Sequence, residues 1–187
     1  MFPSATLHYA MDRFEPIFEA LNATGVRYVV VGDLAVDLHG HQRFTKDVDL
    51  VIELLPEQAQ RSLEALRTIG YEPRLPVRLA DFGDPAIRET WVREKGMVVF
   101  QMYNDSLKMT VDVFVEYPMD FETLWAGATE AQLSRTRIRV AALEHLIQMK
   151  QSVGRPQDLA DVEALMEIER LLADSSAGSD PNGATGP

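Results

Sequence analysis

The chain has 187 residues, 46 % hydrophobic and 25 % charged, with a formal net charge of −11 and no cysteine. That length suffices for one domain with its own core, or one domain with a small helical appendage. The composition excludes disulfides and thiolate metal sites within the chain. The acidic balance argues against a surface built throughout to grip nucleic acid, because that mode depends on neutralising many phosphates.

No apolar run approaches the roughly 18 residues of a membrane span. The opening "MFPSATLHYAMDRFEP" has no basic region followed by an apolar stretch, so neither a secretory signal nor a membrane segment is expected, and a cytoplasmic location is. Residues 11 to 24 place Met11, Phe14, Ile17, Phe18 and Leu21 on one helical face, with Gly25 as a stop. Pro16 interrupts that pattern, which predicts that the regular helix begins near Glu15. "RYVVVG" (27 to 32) reads as a buried strand. "LAVDLHG" reads as a short helix stopped by Gly40, and "DVDLVIEL" (47 to 54) as a second strand. Pro56 then opens a helix to about Ile69, with Gly70 after it.

Residues 71 to 84 are rich in Pro, Arg and Gly and predict a weak strand and a loop. "ETWVRE", "GMVVFQMYN" and "KMTVDVFVE" read as three strands, with turns at Lys95-Gly96 and Asn104-Asp105. A helical stretch near 119 to 126, a strand "RTRIRVA" (135 to 141), and helices at about 142 to 152 and 156 to 173 follow. The tail "SSAGSDPNGATGP" carries no large apolar residue and is expected to be disordered. Strands and helices mix without regular βαβ alternation. The expected fold is therefore of the α/β (α+β) class, a mixed sheet with packed helices. Its divisions are a core over 1–141, a C-terminal helical pair over 142–173 and a tail over 174–187.

The chemistry concentrates around two aspartates at the head of a hydrophobic strand. Residues two apart on a strand share a face, so Asp47 and Asp49 project together while Val48 and Leu50 turn to the core. Asp112, between Val111 and Val113, points away from its apolar neighbours in the same way. If the two strands are adjacent, three carboxylates converge, an arrangement tolerated chiefly where a cation neutralises it. Hard oxygen ligands suit Mg²⁺ or Mn²⁺, and two such ions about 4 Å apart can stabilise both oxygens of an in-line displacement. The plainer alternative is that Asp47 caps a turn, Asp49 pairs with Arg43 or Lys46, and Asp112 faces water. Ahead of the pair lies a strand ending in Gly32 and leading directly into a helix, where a backbone can approach a phosphate closely.

Gly32, then Asp47-Val48-Asp49 some fifteen residues on, then Asp112 on a later strand, resembles the pattern of the nucleotidyltransferase superfamily, to which DNA polymerase β belongs. The string "GDLAVDLHGHQRFTKDVDL" is similar to bacterial minimal and toxin–antitoxin-type members with an AxxxHGxxRxTxDxDL core. "LEHLIQMKQSVGRPQDLADVEAL" (143 to 165) is similar to their C-terminal stretch. The resemblance spans roughly residues 11 to 172. It implies a nucleotidyltransferase fold, with Asp47, Asp49 and Asp112 as metal-holding catalytic residues. A nucleoside triphosphate would be held with Mg²⁺ or Mn²⁺ near Gly32, Asp33, Arg43, Lys46 and Lys150. The acceptor would be a hydroxyl on a small molecule, a tRNA or a protein, and a cognate toxin or antitoxin partner is the alternative association. One position departs from the pattern: the family's second glycine or serine is Asp33. Its carboxylate would either repel a triphosphate, or point to solvent or cap the helix starting at Leu34.

Arg43 and Lys46 flank the acidic pair and could contact phosphates or simply balance Asp47 and Asp49. Arg155, Asp158 and Asp161 read as a salt-bridge network at the helix junction. His39 reads as a packing or hydrogen-bonding residue, since with no cysteine and four histidines a dedicated zinc site is not expected. Arg135, Arg137 and Arg139 alternate on one strand face, solvated or forming a basic strip. Trp91 and Trp125 read as core.

Overall fold

The computed structural model describes residues 12–43 and 45–177, with side chains as far as residue 174. Met11 and residues 178–187 of the expected tail lie outside the described residues. Helix α1 (Glu15–Ala23) starts where Pro16 requires and buries Ile17, Phe18 and Leu21. Strand β1 (Tyr28–Val31) is buried throughout and passes directly into α2 (Gly32–Leu38). Then come β2 (Asp47–Ile52), α3 (Pro56–Thr68), the short β3 (Glu72–Pro73) and a single 3₁₀ turn over Leu79–Gly83.

The segment "ETWVRE" is not a strand. It belongs to α4 (Pro85–Lys95), opened by the Asp84 carboxylate, which accepts from the Ala86 amide at 2.9 Å, and closed by Gly96 in a left-handed conformation. Arg88 and Trp91, three apart, face inward. The start and stop signals of this helix outweigh the β-favouring Thr90, Trp91 and Val92 at its centre. The expected turn at Lys95-Gly96 is therefore a helix cap.

β4 (Val99–Asn104) and β5 (Met109–Phe114) form an antiparallel hairpin in register Asn104↔Met109 to Val99↔Phe114. Next come α5 (Phe121–Gly127), β6 (Thr129–Gln132), β7 (Arg137–Val140), α6 (Leu143–Val153) and α7 (Pro156–Ala177). The sequence reading missed β6: "TEAQ" has one β-branched residue and forms a strand because β7 templates it. The last helix runs to Ala177, past residue 173.

The seven strands of the described residues join one mixed sheet in the order β3-β4-β5-β2-β1-β7-β6. β1 is antiparallel to β2 and parallel to β7, while β2 is parallel to β5. Val29, Val30, Leu50, Val51, Val111 and Val113 are fully buried on these central strands. Burial of this kind, at roughly 25 cal/mol per Å² of apolar surface, holds the sheet's centre rigid. The topology sets the C-terminal end of β1 beside the N-terminal half of β2, with β5 on the far side. α6 packs against both α2 and α7 and closes the space above that end of the sheet.

Candidate active site

Parallel pairing of β2 with β5 aligns Asp47 with Thr110 and Asp49 with Asp112. Asp49 and Asp112 are therefore direct cross-strand neighbours, and Asp47 lies one pleat away on the same face. All three line a cavity of about 320 Å³ together with Gly32, Asp33 and Lys150. The expected site residues Gly32, Asp33, Asp47, Asp49, Asp112 and Lys150 thus meet in one place. Arg43 and Lys46 do not line it.

Gly32 has a positive φ of 67°, and a Cβ there would lie 2.0 Å from Asp49 Oδ2. Only glycine lets the β1–α2 turn pass this close to the carboxylate. Asp47 is exposed, and its backbone is pinned by Thr45, whose hydroxyl accepts from the Asp47 amide at 3.0 Å. Asp112 Oδ2 accepts from Gln101 Nε2 at 3.3 Å, while its Oδ1 is buried with no hydrogen-bond partner.

The charges are unbalanced here. Burial, followed by the charges of Asp112, Asp33 and Asp47, pushes the Asp49 carboxyl up to about 7 against the weaker opposing pull of Lys150. Burial also raises Asp112, with Asp47 adding to it, although the Gln101 hydrogen bond acts the other way. A like-charge group with an orphaned buried oxygen fits a hard cation in donor chemistry. Among the described residues, however, no three ligating side chains are drawn tightly enough to enclose an ion alone. That openness is compatible with Mg²⁺, which is usually held by one or two carboxylates plus substrate phosphates.

Beside this face stands a second, balanced group of charges. Lys150 Nζ donates to Asp33 Oδ1 at 2.8 Å and Asp161 Oδ2 at 2.7 Å, and lies 3.7 Å from Asp158. Its burial, which alone would lower its pKa, is outweighed by these carboxylates, so the ammonium is held charged. Asp33 therefore neither caps α2 nor points to solvent; its carboxylate binds Lys150. Arg43 turns to the fully buried Asp161 rather than to Asp47 or Asp49. Arg155 pairs with Asp158 at 2.7 Å, and its hydrogen bond holds the Asp158 carboxyl below the ordinary range. The expected junction network is thus real but larger, with Asp161 reaching across to α6 and to the loop before β2.

The remaining expectations resolve locally. His39 Nε2 meets the Ala141 carbonyl at 2.8 Å. Arg135 pairs with Glu15 and Glu19, Arg137 with Gln132, and Arg139 with Glu130 while lying over the Trp125 ring. Each arginine of the strip has a partner within the chain. Trp91 is buried and Trp125 half-buried.

Sequence reasoning missed Phe114, Thr45, Gln157 and the α6 residues Leu146, Met149 and Val153, all of which line the cavity. Phe114 was within reach of the two-residue strand period, since it follows Asp112 on the same face. The α6 contribution depends on packing between distant segments, which no local pattern reveals.

A family model described as "Nucleotidyl transferase of unknown function (DUF2204)" matches residues 10–178. A comparison with curated protein sequences finds no match. Among solved structures, the chain is similar to the lincosamide antibiotic adenylyltransferase LnuA with lincomycin bound. That likeness has a TM-score of 0.58 at 15% identity and covers 84% of this chain and 96% of LnuA. It is also similar to ANT(2")-Ia in complex with adenylyl-2"-tobramycin (TM-score 0.55, 12% identity, 92% of this chain and 99% of that one). A third is an antigenic nucleotidyltransferase-like protein from Paracoccidioides brasiliensis (0.52, 16%, 85% and 75%). At these identities the likeness is one of fold.

Proposed function

Because the chain belongs to this nucleotidyl transferase family, we propose that it moves a nucleoside monophosphate from a nucleoside triphosphate onto a hydroxyl acceptor, in a reaction dependent on a divalent metal. The observation that carries the reading is the Asp49↔Asp112 register, with Asp47 on the same face and the Gly32 turn against Asp49. No triphosphate enters beside these carboxylates without cations.

In this reading Asp47, Asp49 and Asp112 hold Mg²⁺ or Mn²⁺, which would supply charge neutralisation at the phosphates and at the leaving oxygen. The acceptor oxygen attacks the α-phosphorus, and the bond from that phosphorus to the pyrophosphate oxygen breaks, with pyrophosphate leaving on the electron pair. Asp112 accepts the hydroxyl proton. Gly32 brings the backbone close to the phosphates, and Lys150 faces them from α6. Positioning and electrostatics supply most of the acceleration. The acceptor is a small molecule, a tRNA or a protein, and the setting is cytoplasmic.

The Asp33–Lys150 pair favours a second reading, a catalytically altered protein of the same fold acting as a binding or toxin–antitoxin component. There the ammonium that would meet phosphate is already taken. Labelled triphosphates, Mg²⁺ or Mn²⁺, and RNA or protein extract, with wild type beside Asp47→Ala/Asp49→Ala, separate the two. Label transfer by wild type alone supports the enzyme. No transfer together with no triphosphate binding by calorimetry supports the binding protein.

A further inference from the structure

The cavity's lining is of two kinds. Beside the carboxylates lie apolar side chains, Phe114 on β5 and Leu146, Met149 and Val153 on α6. The α6 residues recur at three- and four-residue steps and so form one stripe. Phe114 and Met149 are only half-buried, Val153 is 59 % exposed, and among the described residues no aromatic ring stacks on Phe114. Strand period places Phe114 one step beyond Asp112 on the same face, roughly 7 Å along β5. A half-buried ring that packs against the core and lines the cavity so close to the proposed reacting centre suits a planar group attached to the phosphates.

We propose that Phe114 and the Met149–Val153 stripe take the nucleobase of the triphosphate by stacking, and that the site consequently accepts different bases. This rests on the reading of the protein as a nucleotidyltransferase. The polar lining explains the tolerance. The Thr45 hydroxyl is engaged on both sides by the Asp47 backbone, and Asp33, Lys150, Arg155 and Asp158 are taken up in ion pairs. That leaves Gln157 as the neutral polar side chain, among the described residues lining the cavity, to read a base edge. Every base has a π-face, so a slot that offers a ring and a thioether but few edge contacts ranks bases by stacking area, purines first.

The test is calorimetric binding of ATP, GTP, CTP, UTP and inorganic tripolyphosphate with Mn²⁺ to wild type, Phe114→Ala and Phe114→Leu. Far-UV circular dichroism confirms that each variant is folded. Wild type is expected to bind the nucleotides more tightly than tripolyphosphate, with ATP and GTP within about tenfold of each other. Loss of the ring should weaken ATP about tenfold or more while leaving tripolyphosphate unchanged. Phe114→Leu, which keeps apolar bulk without a π-face, should behave nearer to the alanine variant than to wild type. Unchanged ATP affinity in both variants would overturn the assignment, as would a wild-type preference of more than about tenfold for one purine, the mark of edge reading. If wild type binds neither tripolyphosphate nor any nucleotide, the functional reading itself fails, and that result is distinct from either of the others.

Discussion

Two groups of charges share one cavity and are handled in opposite ways. On the helical side, Lys150 and Arg155 meet Asp33, Asp158 and Asp161 in short pairs. On the sheet side, Asp47, Asp49 and Asp112 form no salt bridge among the described residues, and Asp112 keeps an unpartnered oxygen. A buried ion pair ties segments together and fails badly when one partner is lost. Unpaired carboxylates cost stability and persist where a ligand completes them. The first group anchors α6 and α7 to the core; the second is the part of the site left for a ligand to complete.

Substitutions should separate the two groups. Asp49→Ala or Asp112→Ala should reduce label transfer on the order of 10²–10³-fold while leaving the melting temperature of the metal-free protein unchanged or higher, since repulsion is relieved. Asp161→Ala should do the reverse to stability. It removes the carboxylate that Arg43 pairs with and one of the two that Lys150 hydrogen-bonds, and should cost roughly 3–5 kcal/mol, read as a fall of about 10 °C or more in thermal melting. A stable Asp161 variant would erase the contrast.

Gly32→Ala is expected to cost roughly 1–3 kcal/mol of stability, together with most of the activity, because the added Cβ meets Asp49 Oδ2. Parallel melting curves and transfer assays measure both effects.

The same contrast should appear with pH. Asp49 has a folded pKa of about 7, above its ordinary value. Its contribution is therefore fully present below the unfolded pKa of roughly 3.9 and lost as pH rises towards 7. Metal-free protein should melt a few degrees lower at pH 7.5 than at pH 5.5, and Mn²⁺ should remove most of that difference. Asp49→Asn should flatten the profile without metal. The smallest effect is expected from Asp33→Ser, which gives Lys150 one fewer partner and removes a carboxylate from the cavity. Triphosphate affinity should rise about three- to tenfold, roughly 0.7–1.4 kcal/mol. Weaker or unchanged binding would show that Asp33 does not obstruct the pocket.

How far the sequence carried the reading follows the same division. The sheet-side group was legible because it obeys local rules: alternation placed Asp47 and Asp49 on one face, and Gly32 marked a close turn. The helical group was legible only in part. The spacing of Arg155 and Asp158 suggested their pairing, but Asp161 reaching Arg43, and Asp33 reaching Lys150, join residues more than a hundred positions apart. Asp33 is the clearest case. Its role depends on where α6 lands, and a local reading could offer only a cap, solvent or repulsion. The misread segment at residues 89–94 had the opposite cause, since the local cues at Asp84, Pro85 and Gly96 were present and the central Trp91-Val92 was given more weight.

The most direct measurement is calorimetric titration of ATP with Mn²⁺ into wild type and into Asp49→Asn/Asp112→Asn. Wild type should bind only when Mn²⁺ is present, and the double variant should lose on the order of 100-fold or more in affinity. Equal binding by the two proteins, or wild-type binding indifferent to Mn²⁺, would contradict the claim that these carboxylates are completed by a metal-bound triphosphate.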